Sequence, residues 1–186
     1  MQKGGGGRAA PVALALDLAT FTGWAIGPLD RRPRHGAWQL RGKTPGERYG
    51  ALYNALADLI TLERPASITF EAAIPRSAGA DGAKAGILLM GFVAVVELVA
   101  FDQGRIPTFT EGVPETRKKI LGRGGGFGDA GPKPVVMAWC RAHGFDPADD
   151  NAADALVLWH RVQQERGFTP AGKGFAPGAS WVVPAR

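Results

Sequence analysis

The chain has 186 residues, 45% of them hydrophobic and 21% charged, which is enough apolar matter for the core of one ordinary domain and excludes a wholly disordered chain. One cysteine, Cys140, excludes an intramolecular disulfide and a Cys-based zinc site. The net charge of +5 is unevenly spread: basic from Arg31 to Arg48 and from Gly112 to Val135, acidic from Phe145 to Ala155, a balance that suits a polyanion drawn to a cation-binding centre.

Glycine and proline collect at the ends. Residues 1–10, with four consecutive glycines, read as a disordered start, residues 11–166 as a single domain, and residues 167–186 as a flexible Gly/Pro-rich tail whose Trp181-Val182-Val183 could dock on the body. The longest apolar run, Gly86 to Val96, falls short of the roughly 20 residues that span a bilayer. No apolar signal core follows Met1. The chain therefore reads as soluble and cytoplasmic, with no membrane partner.

The apolar run Val12 to Leu18, broken only by Asp17, predicts a central strand buried on both faces. Thr22 to Ile26 and His35 to Leu40 follow through connections short enough for an antiparallel meander. Tyr49, Leu52, Tyr53, Leu56, Leu59 and Ile60 recur at helical spacing, so Pro45 to Glu63 is an amphipathic helix, stopped by Pro65. Ser67 to Phe70 is a fourth strand that ends at Glu71. Lys84 to Asp102 is a helix apolar nearly all round, hence buried on more than one side, one side being a dimer contact. Ile106 to Phe109 is a fifth strand. A short helix from Pro114 to Leu121, a loop with five glycines from Gly122 to Gly128, and helices over Pro134 to His143 and Asp150 to Arg166 complete a mixed α/β architecture.

Three acids interrupt apolar segments: Asp17 and Glu71 at strand ends, Asp154 inside the last helix. A carboxylate in such a place costs several kcal/mol unless it is paired or binds a metal. Asp150 and Asp154 are four apart and Asn151 and Asp154 three apart, so both spacings share one helix face; Asp150 is also a fair N-cap. Three or four carboxylates around one point suit Mg2+ or Mn2+, and two such ions can activate a water against a phosphodiester. His143 and His160 lie outside this spacing and read as surface or packing residues.

Leu14-Ala15-Leu16-Asp17 followed by Thr22-Gly23-Trp24-Ala25 resembles the first motif of the RuvC-type Holliday junction resolvases. Ile68-Thr69-Phe70-Glu71 resembles their second acidic motif, Val113 to Lys119 with Gly122-Arg123-Gly124 their basic segment, and Asp150 to Leu156 their final Asp-rich helix start. The ordered set covers roughly residues 12–165. The resemblance implies an RNase H-like fold with a five-stranded mixed sheet, its first three strands antiparallel. It implies a homodimer that nicks four-way or related branched DNA symmetrically, with Mg2+ or Mn2+ on Asp17, Glu71, Asp154 and Asp150, Asn151 being the alternative to Asp150. Lys118, Lys119, Arg123 and Lys133 would flank the scissile phosphate, one of them stabilising the developing charge. Arg76 and Lys84 would face DNA. Two departures stand out: Asn151 occupies a position where many resolvases have an acid, and Ile74 occupies the position of an often aromatic wedge. The wording around Asp150 and the loose ends look closer to phage or prophage relatives.

Other classes fit less well. Asp17-Leu18-Ala19-Thr20 with Thr22-Gly23 also resembles the phosphate-binding turn of actin-like sugar kinases, but the chain is too short for their two domains. An RNase H-like enzyme acting on RNA–DNA hybrid is a closer alternative. A branched-DNA-binding module with a decayed site is the non-enzyme reading, with Asn151 its only hint.

Overall fold

The computed structural model describes residues 9–72 and 80–166. The Gly-rich start, the C-terminal tail, Ile74 and Arg76 lie outside the described residues, residues 9 and 10 excepted.

The elements run β1 (Val12–Asp17), β2 (Phe21–Pro28), β3 (Arg34–Gln39), α1 (Pro45–Glu63), β4 (Ser67–Glu71), α2 (Ala80–Asp102), β5 (Thr108–Glu111), α3 (Val113–Leu121), α4 (Lys133–Ala142) and α5 (Asp150–Glu165). One five-stranded sheet has the order β3-β2-β1-β4-β5. The first three strands pair antiparallel, as expected of the mixed sheet, and β4 pairs parallel with β1 and β5 parallel with β4.

Two apolar clusters lie on the two faces of the sheet. Leu14, Leu16, Ile68 and Phe70 meet α1 and α2 through Leu52, Leu56, Phe92, Val96 and Val99. Ala13, Ala15 and Ala25 meet α4 and α5 through Val136, Leu156 and Trp159. Alternation along the strands explains the division, because successive side chains point to opposite faces. The small residues on the second face let α5 lie close to the sheet. Trp159 Nε1 donates to Ala13 O at 3.0 Å and Gln163 Nε2 to Leu29 O at 2.7 Å, which pins the helix along β1 and β2.

α1 begins in a capping box: Glu47 N donates to Thr44 Oγ1 at 3.3 Å, and Thr44 N donates back to Glu47 Oε2 at 3.0 Å. β5 starts two residues later than expected. Pro107 has no N–H to give a ladder, and Ile106 N turns back to Ala100 O, so Ile106 packs on the core while pairing begins beyond it. α2 starts a turn earlier than expected and is covered on one side only: Ile87, Met90, Leu98 and Phe101 are each more than half exposed. Gly82–Asp102 is long and apolar enough to cross a membrane by length and composition alone, longer than the uninterrupted run from Gly86 to Val96 suggests. Its inner side instead packs on the core with α1 through Phe92, Val96 and Val99.

Candidate active site

The carboxyl ends of the central strands carry the acids. β1 and β4 are parallel neighbours with Leu16 opposite Phe70, so Asp17 and Glu71 follow as the next residues side by side. Both share the parity of Ala13, Ala15 and Thr69, the α5 face of the sheet. Glu71 is in turn opposite Glu111 of β5.

The first turn of α5 sits on this edge because of Gly23. That residue is the cross-strand partner of Asp17, and a Cβ placed on it would lie 1.9 Å from Asn151 O. Only a residue without a side chain admits the helix backbone so close. The cap of α5 is Asp149, whose Oδ1 accepts from Ala152 N at 2.8 Å. Asp150, a fair cap by its position in the sequence, does not fill that place. Freed of that duty, the Asp150 carboxylate pairs with Lys133. Asp154, one turn further along, accepts from Arg117 Nη2 at 3.3 Å, with both side chains mostly buried.

The electrostatics follow from this placement. Burial first, then the neighbouring Asp154 charge, pushes the Asp17 carboxyl up to about 7, against the opposing pull of Arg117. Asp17 makes no hydrogen bond or ion pair among the described residues. Burial likewise raises Asp154, opposed by Arg117. The hydrogen bond from Lys133 holds Asp150 below the usual carboxylate range. Burial pushes the Cys140 thiol up to about 12, so no nucleophilic thiolate stands beneath the site.

Of the basic residues expected here, Lys133 reaches the cluster. Lys118 and Lys119 are exposed on the outer side of α3. Arg123 lies over the Phe127 ring at 4.7 Å and donates to Gly126 O at 3.2 Å, which ties it into the glycine loop. Lys84 is exposed near the start of α2. A second cation, Arg117, enters the cluster on the Asp154 side and was not among the residues expected there. Its signal was helical spacing: Thr116 is buried and Ile120 and Leu121 pack on the second cluster, so Arg117, beside Thr116 and four before Leu121, lies at the inward side of α3. Arg117 Nε is buried without a partner. His143 and His160 pack around Trp139, with ring centroids 4.0 and 5.1 Å away, as expected of packing residues.

The donor set is all oxygen, which suits a hard divalent cation, and the unpaired, half-buried Asp17 beside Asp154 is a charge arrangement that such a cation relieves. Among the described residues, however, no three His, Cys, Asp or Glu side chains already stand close enough to share one ion. Arg117 and Lys133 hold two of the carboxylates in ion pairs.

A mixed sheet in this order, with acids at the ends of β1 and β4 and at the start of the last helix, defines a protein with the RNase H-like fold. Among solved structures the chain has the fold of the RuvC Holliday junction resolvases. It is similar to the T. thermophilus RuvC in complex with a Holliday junction substrate at 19% identity, covering 81% of this chain and 92% of that one with a TM-score of 0.63. A second Thermus thermophilus RuvC structure matches at 19% identity over 83% and 95% of the two chains, TM-score 0.61. The yeast mitochondrial Holliday junction resolvase Ydc2 matches at 12% identity over 86% and 82%, TM-score 0.56. Neither a family model nor a curated protein sequence matches the chain.

Proposed function

We propose that this protein is a divalent-metal-dependent endonuclease that nicks four-way or related branched DNA, acting as a homodimer. The observation that supports the reading is that Asp17 and Glu71 end neighbouring parallel strands while Asp150 and Asp154 start the helix packed on that edge, with Arg117 and Lys133 paired to them. The fold likeness supports the substrate class, since one structural neighbour is a RuvC bound to a Holliday junction substrate.

Asp17, Glu71 and Asp154 would hold Mg2+ or Mn2+, with Asp150, or Asn151 in its place, as the fourth donor. Bound ions of this kind activate a water and stabilise the leaving oxygen of a phosphodiester. The chain's own cations bind and orient the phosphate. Arg117 presents a planar fork from the buried side, suited to two phosphate oxygens at once. Lys133 approaches from the exposed side. Lys118, Lys119 and Arg123 lie further out and add non-specific attraction for the backbone. The bare apolar side of α2 supports the homodimer, because Ile87, Met90, Leu98 and Phe101 leave a continuous stripe in water.

The test is cleavage of synthetic four-way junctions beside Y-branched DNA, linear duplex and RNA–DNA hybrid in Mg2+ or Mn2+. Junctions are expected to be nicked, and Asp17→Asn is expected to abolish cleavage while keeping binding, since it removes a negative charge near phosphate. A wild-type protein that cuts no branched DNA, or Asp17→Asn cleaving undiminished, would overturn the assignment. Mg2+ is expected to raise the melting temperature as well, because a ligand that binds only the folded state stabilises it; a decayed site would not respond.

A further inference from the structure

The face of the sheet that carries Asp17 continues past the start of α5. Along β2, Phe21, Gly23 and Ala25 share this face. Ala25 packs beneath α5 and Gly23 beneath its first turn, while Phe21 lies beyond the helix start and is 47% exposed. Its partner across the ladder is Gln39 of β3. Gln39 Oε1 accepts from Arg41 Nε at 3.0 Å, which turns the Arg41 side chain toward the strand pair that carries Phe21.

Lys43 is exposed two residues on. Neither Arg41 nor Lys43 has a carboxylate partner among the described residues. The nearest acid in sequence, Glu47, is turned into the capping box of α1, accepting from Lys43 N and Thr44 N. The result is a half-exposed aromatic ring on the face of the carboxylate cluster, with Arg41 held toward its strand pair by Gln39 and Lys43 exposed two residues further along the chain. Phe21 lies two residues beyond the register partner of Asp17, so about 7 Å further along the strand.

An exposed ring leaves apolar area in water, and the two cations add no cover for it. A nucleotide supplies what both lack: a flat π-face for the ring and a phosphate for each cation. A paired base has its faces covered by its neighbours, so the occupant is an unpaired one, of the kind a branch point offers. We infer that Phe21, Gln39, Arg41 and Lys43 form a strand-binding subsite that stacks one unpaired base on Phe21 and holds its flanking phosphates on Arg41 and Lys43. This rests on the proposed action on branched DNA, but it is a claim about binding and is tested without metal.

Binding of the full chain to a four-way junction, to single-stranded DNA and to linear duplex is measured in EDTA over a range of salt. Phe21→Leu keeps the apolar bulk and removes the π-face. It is expected to weaken junction and single-strand binding by roughly 5- to 150-fold, the range of one stacked base, while duplex binding stays within about twofold. Phe21→Trp is expected to restore binding. Arg41→Ala and Lys43→Ala are each expected to lower the salt slope by about one on the junction and on single strands. Wild-type junction and single-strand affinity in Phe21→Leu, or an equal loss on duplex, would overturn the subsite. A wild-type protein that cuts nothing yet shows the Phe21 pattern would sink the nuclease reading and leave the subsite standing. One that nicks junctions but is indifferent at Phe21 would do the opposite.

Discussion

Gly23→Ala places a methyl group where α5 begins. The new Cβ would stand 1.9 Å from Asn151 O, 2.4 Å from Asn151 C and 3.1 Å from Ala152 N, all backbone atoms that cannot rotate aside. Contact distances below 3.0 Å are not tolerated, so the first turn of α5 must retreat by at least about 1 Å. Asp150, Asn151 and Asp154 retreat with it, away from Asp17, which is the cross-strand partner of Gly23. Overpacking of this kind costs about 1–3 kcal/mol. For a chain of this length that corresponds to a fall in Tm of about 2–12 °C. A misplacement of about 1 Å in a catalytic constellation costs about 100-fold in rate. Junction cleavage followed across a Mg2+ titration is the assay. The expected outcome is a kcat lower by about two orders of magnitude and a raised Mg2+ requirement, with metal-free junction binding within about twofold of wild type. A Gly23→Ala protein with the wild-type Mg2+ profile and less than a fivefold loss of rate would refute the seating of α5 on β2 as the device that assembles the site.

Three further outcomes are expected. The Asp17 carboxyl is raised from 3.8 to about 7, so between those values the folded protein holds a proton that the unfolded chain releases; metal-free stability is therefore greatest at low pH on this account and falls as pH rises toward 7. Melting curves in EDTA should show that fall in wild type and its loss in Asp17→Asn, and an unchanged profile in the variant would refute the assignment. Because Asp149 is the cap, Asp149→Ala should lower stability by about 1 kcal/mol without altering the Mg2+ requirement, whereas Asp150→Ser should raise that requirement and Asn151→Ala should be mild, all read from cleavage and melting; a larger effect at Asn151 would make it the fourth donor. Met90→Glu, at an exposed position of α2, should leave a folded protein that sediments as a monomer, and a dimer that survives it in light scattering would place the contact elsewhere.

Much of this molecule was legible along the chain. The order and type of every element follow from local patterns: a short apolar run ending in an acid for β1, helical spacing and a proline stop for α1, a short run ending in an acid again for the strand that closes at Glu71. The acids stood out for the same reason, since a charge inside an apolar run is conspicuous wherever the fold places it. What stayed hidden concerns relations between elements distant in the chain. Arg117 and Lys118 look alike as neighbours, and only the packing of α3 against α5 turns one to Asp154 and the other to solvent. Asp149 and Asp150 are equally good caps by composition, and the choice fell to the extended backbone at Asp149 as the chain enters α5. The apolar circumference of α2 implied two buried sides, but the chain itself supplies partners for one, because α1 and the sheet cover a single stripe. Gly23 and Phe21 sit two residues apart on one strand face, and the point at which α5 begins makes the first a seat for backbone and leaves the second in water. Local sequence sets the conformation each segment prefers, whereas these outcomes depend on which surfaces meet when segments far apart in the chain share one core.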